Sequence, residues 1–325
     1  GKTPANHNND IGMPLAVLAM PESTEVAVLE MGMNHFREIA YLAWIAKPDV
    51  AVIINIGTMH IEHLGSQEGI LRAKLEILEG MGENGKVLLN GDDRLLWNYG
   101  KTTEMPITYF GANNAECAVR ARNIREEDGK ISMEVCHSNG CFDLNLPLEG
   151  THYVADAMAA VAVGLAMGIE PAQIAERLVA FRNMEGRQEI FEARGCTIIK
   201  DCYNAGPESM AAALNVLGKR SGRHIAVLGD MLELGTSTQA EHYRVGRIAA
   251  EKADMVFAYG PNASRVLSGA ITGGMNAKRT LHFKDQEDMA KTLKRMAKPG
   301  DVILFKGSRG MHMELALELF FSDER

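Results

Sequence analysis

Some features are scarce in this sequence of 325 residues, and each scarcity excludes a class of protein. No apolar run reaches the roughly 20 residues that a membrane-spanning helix needs, so we predict no membrane insertion. No cluster of lysine and arginine is present and the net charge is −8, which argues against a nucleic-acid partner. The 5 cysteines are an odd number without a C-x-x-C pair. We therefore expect a reducing, cytoplasmic location and neither a disulfide framework nor a zinc site.

Apolar residues, in contrast, make up 46% of the chain, which is enough for true hydrophobic cores and excludes a disordered protein. A length of 325 residues exceeds the size at which one core usually stops growing, so we expect two domains. The composition therefore predicts a globular protein with at least two separate cores.

Strand-like and helix-like stretches alternate through residues 14–110 and again through residues 197–321. This alternation is typical of an α/β fold with doubly wound, mostly parallel sheets. Residues 115–147 differ, because three strand-like runs are separated by Asp128-Gly129 and Asn139-Gly140, which favour hairpin turns. We interpret them as an antiparallel extension of the first sheet, and we place the domain boundary after residue 185.

The central stretch of the first domain links a buried strand to a polar loop. Residues 50–56 form a continuous apolar run, typical of a strand buried on both faces of a parallel sheet. The loop after it contains His60, and the following helix carries Lys74. Residues 25–31 predict another strand that ends near Glu30. Because ligands of open α/β sheets bind outside the carboxyl ends of strands, we expect Glu30 and His60 to reach one crevice.

A carboxylate and a neutral imidazole in one crevice can hold a divalent metal. Mg²⁺ would take mostly oxygen ligands, with water and substrate phosphate completing its shell. The alternative is that Glu30 caps a loop and that His60 is a hydrogen-bonded loop histidine. Lys74 by itself argues against a metal, because an ammonium group repels one and a helical lysine is usually solvated. The residues alone leave both interpretations open.

Strand-to-helix loops of the second domain offer further polar groups. The motif D-C-Y-N-A-G-P contains Asp201, Tyr203 and Asn204 and ends in a proline suited to begin a helix, whose N–H groups can bind an anion. The motif K-G-S-R brings Lys306, Ser308 and Arg309 to another helix N-terminus, a position suited to a carboxylate or phosphate. Ordinary turns and solvated surface cations are the alternatives.

Taken in order, these motifs and several others resemble the Mur ligases of peptidoglycan synthesis over essentially the whole chain. The motifs are N-H-N-N-D-I-G-M-P, V-L-E-M-G-M-N-H, N-I-G-T-M-H-I-E-H-L-G-S, R-A-K-L-E-I-L, E-G-R, D-C-Y-N-A-G-P-E-S-M, G-D-M-L-E-L-G and K-G-S-R. The resemblance implies a central ATPase domain at residues 1–185, without its start and phosphate loop, and a smaller Rossmann-like domain at residues 186–325 that closes over the site. On this basis we expect little or no turnover from these residues alone.

The resemblance also implies roles for individual residues. Glu30 and His60 resemble magnesium ligands, and Lys74 resembles a lysine that takes up carbon dioxide as a carbamate, which replaces its cation by a metal-binding anion. The positions matching ATP contacts are Asn55, His152, Asp156, Arg187 and Asp201. The positions matching substrate contacts are Asn6, Asn8, Asn9, Tyr203, Asn204, Lys306 and Arg309. His152 matches the first residue of the family's H-N-x-x-N motif, whereas Tyr153 and Asp156 stand where asparagines are expected.

The implied activity is ATP-dependent, ADP-forming amide ligation in the cytoplasm by a monomer. The peptide carboxylate of a UDP-N-acetylmuramoyl-tripeptide attacks the ATP γ-phosphate, and the amine of D-alanyl-D-alanine then displaces phosphate from the acyl phosphate. Two alternatives are another Mur or folylpolyglutamate-type ligase and a non-catalytic binding protein built on the ligase fold. An assay of which amine drives ATP consumption would distinguish the first alternative from the implied activity. Nucleotide titration would test the second, because a non-catalytic binding protein is favoured if Mg²⁺-dependent ATP binding is absent.

Overall fold

The computed structural model describes residues 1–322. The chain divides into two compact units, Gly1–Phe181 and Arg182–Arg325, whereas the sequence suggested a boundary after residue 185. Among the described residues, no helix is both long and apolar enough to cross a bilayer.

The first unit contains one six-stranded sheet with helices packed against it. Its helices are α1 (Gly12–Leu18), α2 (Glu38–Ala46), α3 (Ile61–Leu64), α4 (Gln67–Leu75), α5 (Arg94–Gly100), α6 (Tyr153–Ala166) and α7 (Pro171–Val179). Its strands are β1 (Val50–Ile53), β2 (Lys86–Asn90), β3 (Ile107–Gly111), β4 (Val119–Glu127), β5 (Lys130–His137) and β6 (Gly140–Leu146). The strands lie in sequence order, parallel from β1 to β4 and antiparallel from β4 to β6, which confirms the predicted extension.

Strand β2 is buried on both faces because its alternate side chains enter two different cores. Leu88 packs in the core that also contains Met158 of α6, on one face of the sheet. Its neighbours Val87 and Leu89 pack with Ile70 of α4 on the other face. Side chains of a strand point alternately to opposite faces, so an unbroken apolar run is required here.

The predicted strand at residues 25–31 is wrong. Only Val28 pairs, in a single parallel bridge with Lys2. The segment is extended, since Val28 N–H donates to the Gly1 carbonyl at 2.9 Å and Thr3 N–H donates to the Val28 carbonyl at 3.0 Å. Its valines nevertheless do not enter a core, because Val26 and Val28 are 51% and 64% exposed. Glu30 therefore follows an extended edge segment rather than a core strand.

The second unit contains a second six-stranded sheet. Its helices are α8 (Pro207–Lys219), α9 (Thr238–Lys252), α10 (Ala263–Thr272), α11 (Gln286–Met296) and α12 (Met313–Phe321). Its strands are β7 (Glu189–Ala193), β8 (Cys196–Asp201), β9 (His224–Gly229), β10 (Met255–Tyr259), β11 (Thr280–Phe283) and β12 (Val302–Lys306). Their order is β11-β10-β9-β12-β8-β7, and all neighbours are parallel except the edge pair β7 and β8. The sequence patterns did not predict the two edge strands β7 and β11.

One sequence expectation about cysteine is also wrong. Cys136 and Cys141 form a disulfide across the β5–β6 hairpin, although their spacing does not match a C-x-x-C pair. They become neighbours because the two strands pair antiparallel around a two-residue turn. Cys117, Cys196 and Cys202 are buried as free thiols.

Helices α9 and α10 pack closely because glycines lie where their backbones meet. A Cβ added at Gly246 would lie 1.9 Å from the carbonyl oxygen of Val266, and one at Gly269 would lie 2.0 Å from that of Tyr243. Both distances are impossible for real atoms, so the helices would have to separate.

We predict that Gly246→Ala lowers the free energy of unfolding by roughly 1–3 kcal/mol, because the added methyl group forces a backbone shift in a packed core. Urea unfolding followed by circular dichroism measures the change. Gly82→Ala is the matched control, because no atom lies within 4 Å of its added Cβ. Equal stability of the two variants would contradict the close-packing explanation.

Candidate active site

Lys74 lies at the edge of the first sheet, just beyond β1. Ser66 caps the N-terminus of α4, since its hydroxyl accepts the Gly69 N–H at 3.1 Å, and the helix runs from Gln67 to Leu75. The Lys74 ammonium Nζ donates to the backbone carbonyl of Asn55 at 2.7 Å, and the Asn55 side-chain Oδ1 lies 3.5 Å away. The structure therefore brings two sequence-predicted site residues, Lys74 and Asn55, together at the carboxyl end of a parallel strand.

Burial lowers the pKa of Lys74 below its usual value, and the negative charge of Asp93 only partly opposes this shift. Hydrogen bonds to both of its carboxylate oxygens hold Asp93 in place. One carboxylate oxygen accepts the Ile56 N–H at 2.7 Å, and the other caps α5 by accepting the N–H groups of Leu95 and Leu96. Desolvation favours the neutral amine. At the same pH, a larger fraction of Lys74 side chains is therefore unprotonated than in a solvated lysine. No local sequence pattern points to Asp93, because its role depends on a contact with the loop after β1.

Glu30 is joined to the asparagine loop at the start of the chain. Asn8 Nδ2 donates to Glu30 Oε1 at 2.8 Å, and the backbone N–H of Glu30 donates to Thr3 Oγ1 at 2.7 Å. The Gly32 N–H also donates to the Asn8 carbonyl at 2.7 Å. Two motifs that are distant in sequence thus meet, with the exposed carboxylate oriented by an amide.

The other two asparagines of this loop have different surroundings. Asn9 Oδ1 accepts the Gly12 N–H at 2.7 Å and the Ile11 N–H at 3.3 Å, which stabilises the start of α1. Asn6 is exposed, and its backbone carbonyl accepts the Asn8 N–H at 2.8 Å. Substrate contacts by Asn6, Asn8 and Asn9 stay a prediction.

His60 begins the short helix α3 in a left-handed backbone conformation, with φ of 63°. Its carbonyl accepts the N–H groups of His63 and Leu64 at 3.1 and 3.3 Å, which forms the helical turn. A non-glycine residue in this conformation is uncommon and often marks a functional loop. The contacts in the first unit group Glu30 with Asn8, and Lys74 with Asn55. The meeting of Glu30, His60 and Lys74 around one ion stays a prediction.

His152 and Asp156 both lie at the start of α6. Tyr153, which stands where an asparagine was expected, has its ring centre 4.2 Å from that of His152, with the two rings tilted by 37°. Asp156 lies in the first turn of the helix, where a carboxylate is favoured by the helix dipole. Their contact with a nucleotide stays a prediction.

Asp201 and Lys306 form a buried ion pair in the second unit. They are register partners at the carboxyl ends of the neighbouring parallel strands β8 and β12. Lys306 Nζ lies 2.6 Å from Asp201 Oδ2, and it also donates to the Asn204 carbonyl at 3.0 Å. The Lys306 side chain is only 2% exposed, so its charge needs both partners. Its direct observed role is to hold the D-C-Y-N loop, and a substrate contact stays a prediction.

Arg187 lies beside this ion pair. Its guanidinium carbon lies 4.1 Å from the centre of the Tyr203 ring, a cation–π contact that holds the exposed arginine over the loop. The backbone also joins the two segments, since the Tyr203 N–H donates to the Gly186 carbonyl at 3.0 Å and the Gln188 N–H donates to Asp201 Oδ1 at 3.3 Å. The structure therefore brings Arg187, Asp201 and Tyr203 together within one unit.

The two cations of the K-G-S-R motif differ in their surroundings. Arg309 is exposed and lies 3.4 Å from Glu314, whereas Lys306 is buried. Between them, buried Ser308 donates to the Ala205 carbonyl and accepts the Leu232 N–H, so it ties three loops together. The sequence predicted Ser308 beside these cations at a helix N-terminus, but not its contacts with the other two loops.

Asp230, directly after β9, is a further buried carboxylate; its G-D-M-L-E-L-G motif was recognised in the sequence, but Asp230 itself was not singled out. It is 1% exposed and accepts the Asn262 N–H at 2.9 Å and the Asn262 side-chain amide at 2.8 Å. Its backbone carbonyl accepts the Ser308 N–H at 3.0 Å. The loops after β8, β9 and β12 therefore form one hydrogen-bonded edge, where ligands of open α/β sheets bind.

Comparison with known protein families gives two matches. Residues 1–164 match the model of the Mur ligase middle domain, and residues 186–309 match that of the Mur ligase, glutamate ligase domain.

Individual proteins are similar over almost the whole chain. UDP-N-acetylmuramoyl-tripeptide–D-alanyl-D-alanine ligase of Bacillus subtilis is 40% identical over 318 residues, which cover 96% of this chain and 68% of that protein. A crystal structure of MurF from Acinetobacter baumannii superposes with a TM-score of 0.89 at 32% identity, covering 98% of this chain and 70% of that one. The MurF ligase from Thermotoga maritima in complex with ADP gives a TM-score of 0.86 at 29% identity, covering 98% and 72%.

We predict that Lys74 titrates at a lower pH than an exposed lysine. Burial lowers the pKa of Lys74, whereas the salt bridge to Glu287 raises the pKa of Lys291. Reductive methylation with ¹³C-formaldehyde gives each lysine a reporter signal, and an NMR pH titration of those signals measures both pKa values. Lys74→Arg and Lys291→Arg variants assign the two signals. A Lys74 signal that titrates at or above the pH of the Lys291 signal would contradict the burial argument.

We predict that Lys306→Ala lowers the free energy of unfolding by roughly 3 kcal/mol, because it leaves Asp201 without its buried cation. This loss of stability lies at the low end of the range for broken buried ion pairs, because the Asp201 side chain is still 15% exposed. Lys291→Ala, which removes an exposed pair with Glu287, is the control and should cost less than about 1 kcal/mol. If urea unfolding gave the two variants the same stability, the buried pair would not hold this edge.

Proposed function

The chain belongs to the Mur ligase family, and from that premise we propose that it performs ATP-dependent, ADP-forming ligation of D-alanyl-D-alanine to UDP-N-acetylmuramoyl-tripeptide. Relatives that bear this activity in their names match both units of the chain. The observation that carries the proposal is the position of Lys74, whose amine lies against the Asn55 carbonyl at the carboxyl end of a parallel strand. That edge of the sheet is where phosphoryl-transfer substrates bind in open α/β folds.

We propose that Lys74 takes up carbon dioxide as a carbamate. The reaction forms an N–C bond from the neutral amine and releases a proton, so it requires the unprotonated form of the side chain. Burial favours that form, because it lowers the pKa of Lys74. The product is an anion with two oxygens, which removes the objection that an ammonium repels a metal.

The proposed Mg²⁺ ligands are Glu30, His60 and carbamylated Lys74. Glu30 would supply a carboxylate already oriented by Asn8, His60 would supply an imidazole, and the carbamate would supply a second anion. Mg²⁺ prefers such oxygen-rich sets and keeps several waters. When bound, the ion neutralises charge on the ATP phosphates. The protein's own contribution is to orient these side chains from an extended edge segment, a left-handed loop residue and a helix.

We propose that the second unit contributes ATP contacts through Arg187 and Asp201. The cation–π contact with Tyr203 and the buried Lys306 hold this pair in fixed positions. The chemistry then consists of aligning two anions, the peptide carboxylate and the γ-phosphate, so that an acyl phosphate forms and the incoming amine displaces phosphate. We also propose that the protein acts in the cytoplasm, where ATP and nucleotide-linked sugars are present, and as a monomer.

The complete gene product tests this proposal. We predict that it releases ADP only when UDP-N-acetylmuramoyl-tripeptide, D-alanyl-D-alanine, ATP and Mg²⁺ are all present, and that kcat falls in CO₂-free buffer and returns with bicarbonate. Lys74→Arg should lower kcat by at least about 100-fold, beyond the 10–100-fold typical of groups outside the metal's ligand set. Coupled ADP release measures each rate.

Lys291→Arg is the control, because Lys291 is an exposed surface lysine. It should match the unaltered protein and respond equally to bicarbonate. ADP release driven by a single amino acid instead of the dipeptide would assign the chain to another ligase of the family. Full activity of Lys74→Arg without bicarbonate would overturn the proposal that Lys74 acts as a carbamate.

A further inference from the structure

The β5–β6 hairpin carries a cluster of metal-ligating side chains that the proposed ligation does not use. Cys136 on β5 and Cys141 on β6 are direct cross-strand partners, with Cα atoms 4.1 Å apart. A carboxylate oxygen of Glu134 lies within 4.8 Å of both sulfurs. Across residues 1–322, this is the only group of three or more His, Cys, Asp or Glu ligand atoms packed so closely.

The cluster lies on the solvent-facing side of the hairpin. Met133 and Val135 are 3% and 0% exposed and point into the core, so the alternating positions Glu134 and Cys136 point to the opposite face. Cys141 is exposed. A solvated ion can therefore reach all three ligand atoms without opening the core.

The surrounding charges also suit a cation. Glu134 is paired directly across the strands with Asp143, and two carboxylates in facing positions repel each other. The Asn123 side-chain amide donates to Glu134 Oε2 at 3.4 Å, which orients the carboxylate as outer groups orient metal ligands. On β4, Arg122 faces Glu134 from the other side, so part of the negative charge is already balanced.

We propose that, when the Cys136–Cys141 disulfide is reduced, the two thiolates and Glu134 bind a thiophilic divalent cation such as Zn²⁺. Zinc takes tetrahedral sets with Zn–S bonds of about 2.3 Å, which requires the sulfurs to lie roughly 3.8 Å apart. Facing residues on antiparallel strands have Cβ atoms about 4.5–5.5 Å apart, so the pair can meet that distance without a change of register. The fourth position is open to water.

Oxidation and cation binding exclude each other, because a disulfide sulfur is not a thiolate. A low-molecular-weight disulfide closes the pair by thiol–disulfide exchange. The S–S bond of the reagent breaks, the Cys136–Cys141 bond forms, and two electrons and two protons pass to the reagent as two free thiols. The hairpin is then a site that holds a cation only in the reduced state.

The other cysteines do not compete for the ion. Cys117, Cys196 and Cys202 are all buried. Burial raises the pKa of the Cys117 thiol to about 11 and that of Cys202 to about 12, and it raises the pKa of Cys196 as well. Thiolate is the form that binds metal, so signals from thiolate–metal bonds report Cys136 and Cys141.

The test is an anaerobic Co²⁺ titration of the reduced protein after the reductant is removed. We expect one equivalent to produce a thiolate-to-cobalt charge-transfer band in the near ultraviolet, and Zn²⁺ to displace it. The same protein oxidised with glutathione disulfide should lose two free thiols and the whole band. Absence of the band from the reduced protein, or its persistence after oxidation, would overturn the proposal.

Variants identify the ligands. Cys141→Ser should abolish the band, and Glu134→Gln should weaken Co²⁺ binding about tenfold or more. Glu127→Gln, which removes an exposed carboxylate elsewhere in the same sheet, is the matched control and should bind like the unaltered protein. A band retained by Cys141→Ser, or equal affinity of Glu134→Gln and Glu127→Gln, would refute the assigned ligands. Far-ultraviolet circular dichroism checks that each variant is folded, and the oxidation experiment needs no variant.

Discussion

The chemistry proposed for the first unit depends on the burial of one amino group, that of Lys74. Lys74 is held at the end of β1 by the Asn55 carbonyl, in surroundings that favour the neutral amine. A neutral amine at that position can be converted to an anion by carbon dioxide, whereas a solvated lysine stays mostly a cation. The same residue would therefore repel a metal in one state and help to bind it in the other, and the surrounding fold determines which state prevails.

The second unit depends on strand register. Lys306 and Asp201 face each other because β8 and β12 pair in parallel with their carboxyl ends aligned. A shift of one residue would point one of these side chains to the opposite face of the sheet and leave a buried charge alone. The loops after β8, β9 and β12 are further joined through Ser308 and Asp230. The edge is thus held by buried polar contacts, whereas Arg187 and Arg309 are exposed.

Much of the fold could be predicted from the sequence, because apolar patterns reflect burial. Strand β2 lies between two cores, and the β4–β5 turn is Asp128-Gly129 as predicted. The β5–β6 turn is Ser138-Asn139, one residue before the predicted Asn139-Gly140, because Gly140 pairs with His137. The missed strands β7 and β11 lie at sheet edges, where one side is unpaired and the pattern is mixed. The strand predicted at residues 25–31 failed because its valines face solvent.

The sites were less predictable than the fold, because contacts between distant residues are absent from any local pattern. The motifs containing Asp201 and Lys306 were recognised separately, but their ion pair follows from strand register. The Cys136–Cys141 disulfide likewise follows from hairpin pairing. Family resemblance supplied the roles of Glu30, His60 and Lys74, and those roles stay predictions.

The most direct test of the central claim is to detect the carbamate and the metal in one spectrum. The complete gene product, loaded with Mn²⁺ in place of Mg²⁺ and equilibrated with ¹³C-bicarbonate, is suited to electron–nuclear double resonance. If carbamylated Lys74 binds the metal, the spectrum shows a ¹³C coupling to Mn²⁺ that disappears in Lys74→Arg. A bound Mn²⁺ without that coupling would show that Lys74 is not part of the metal site.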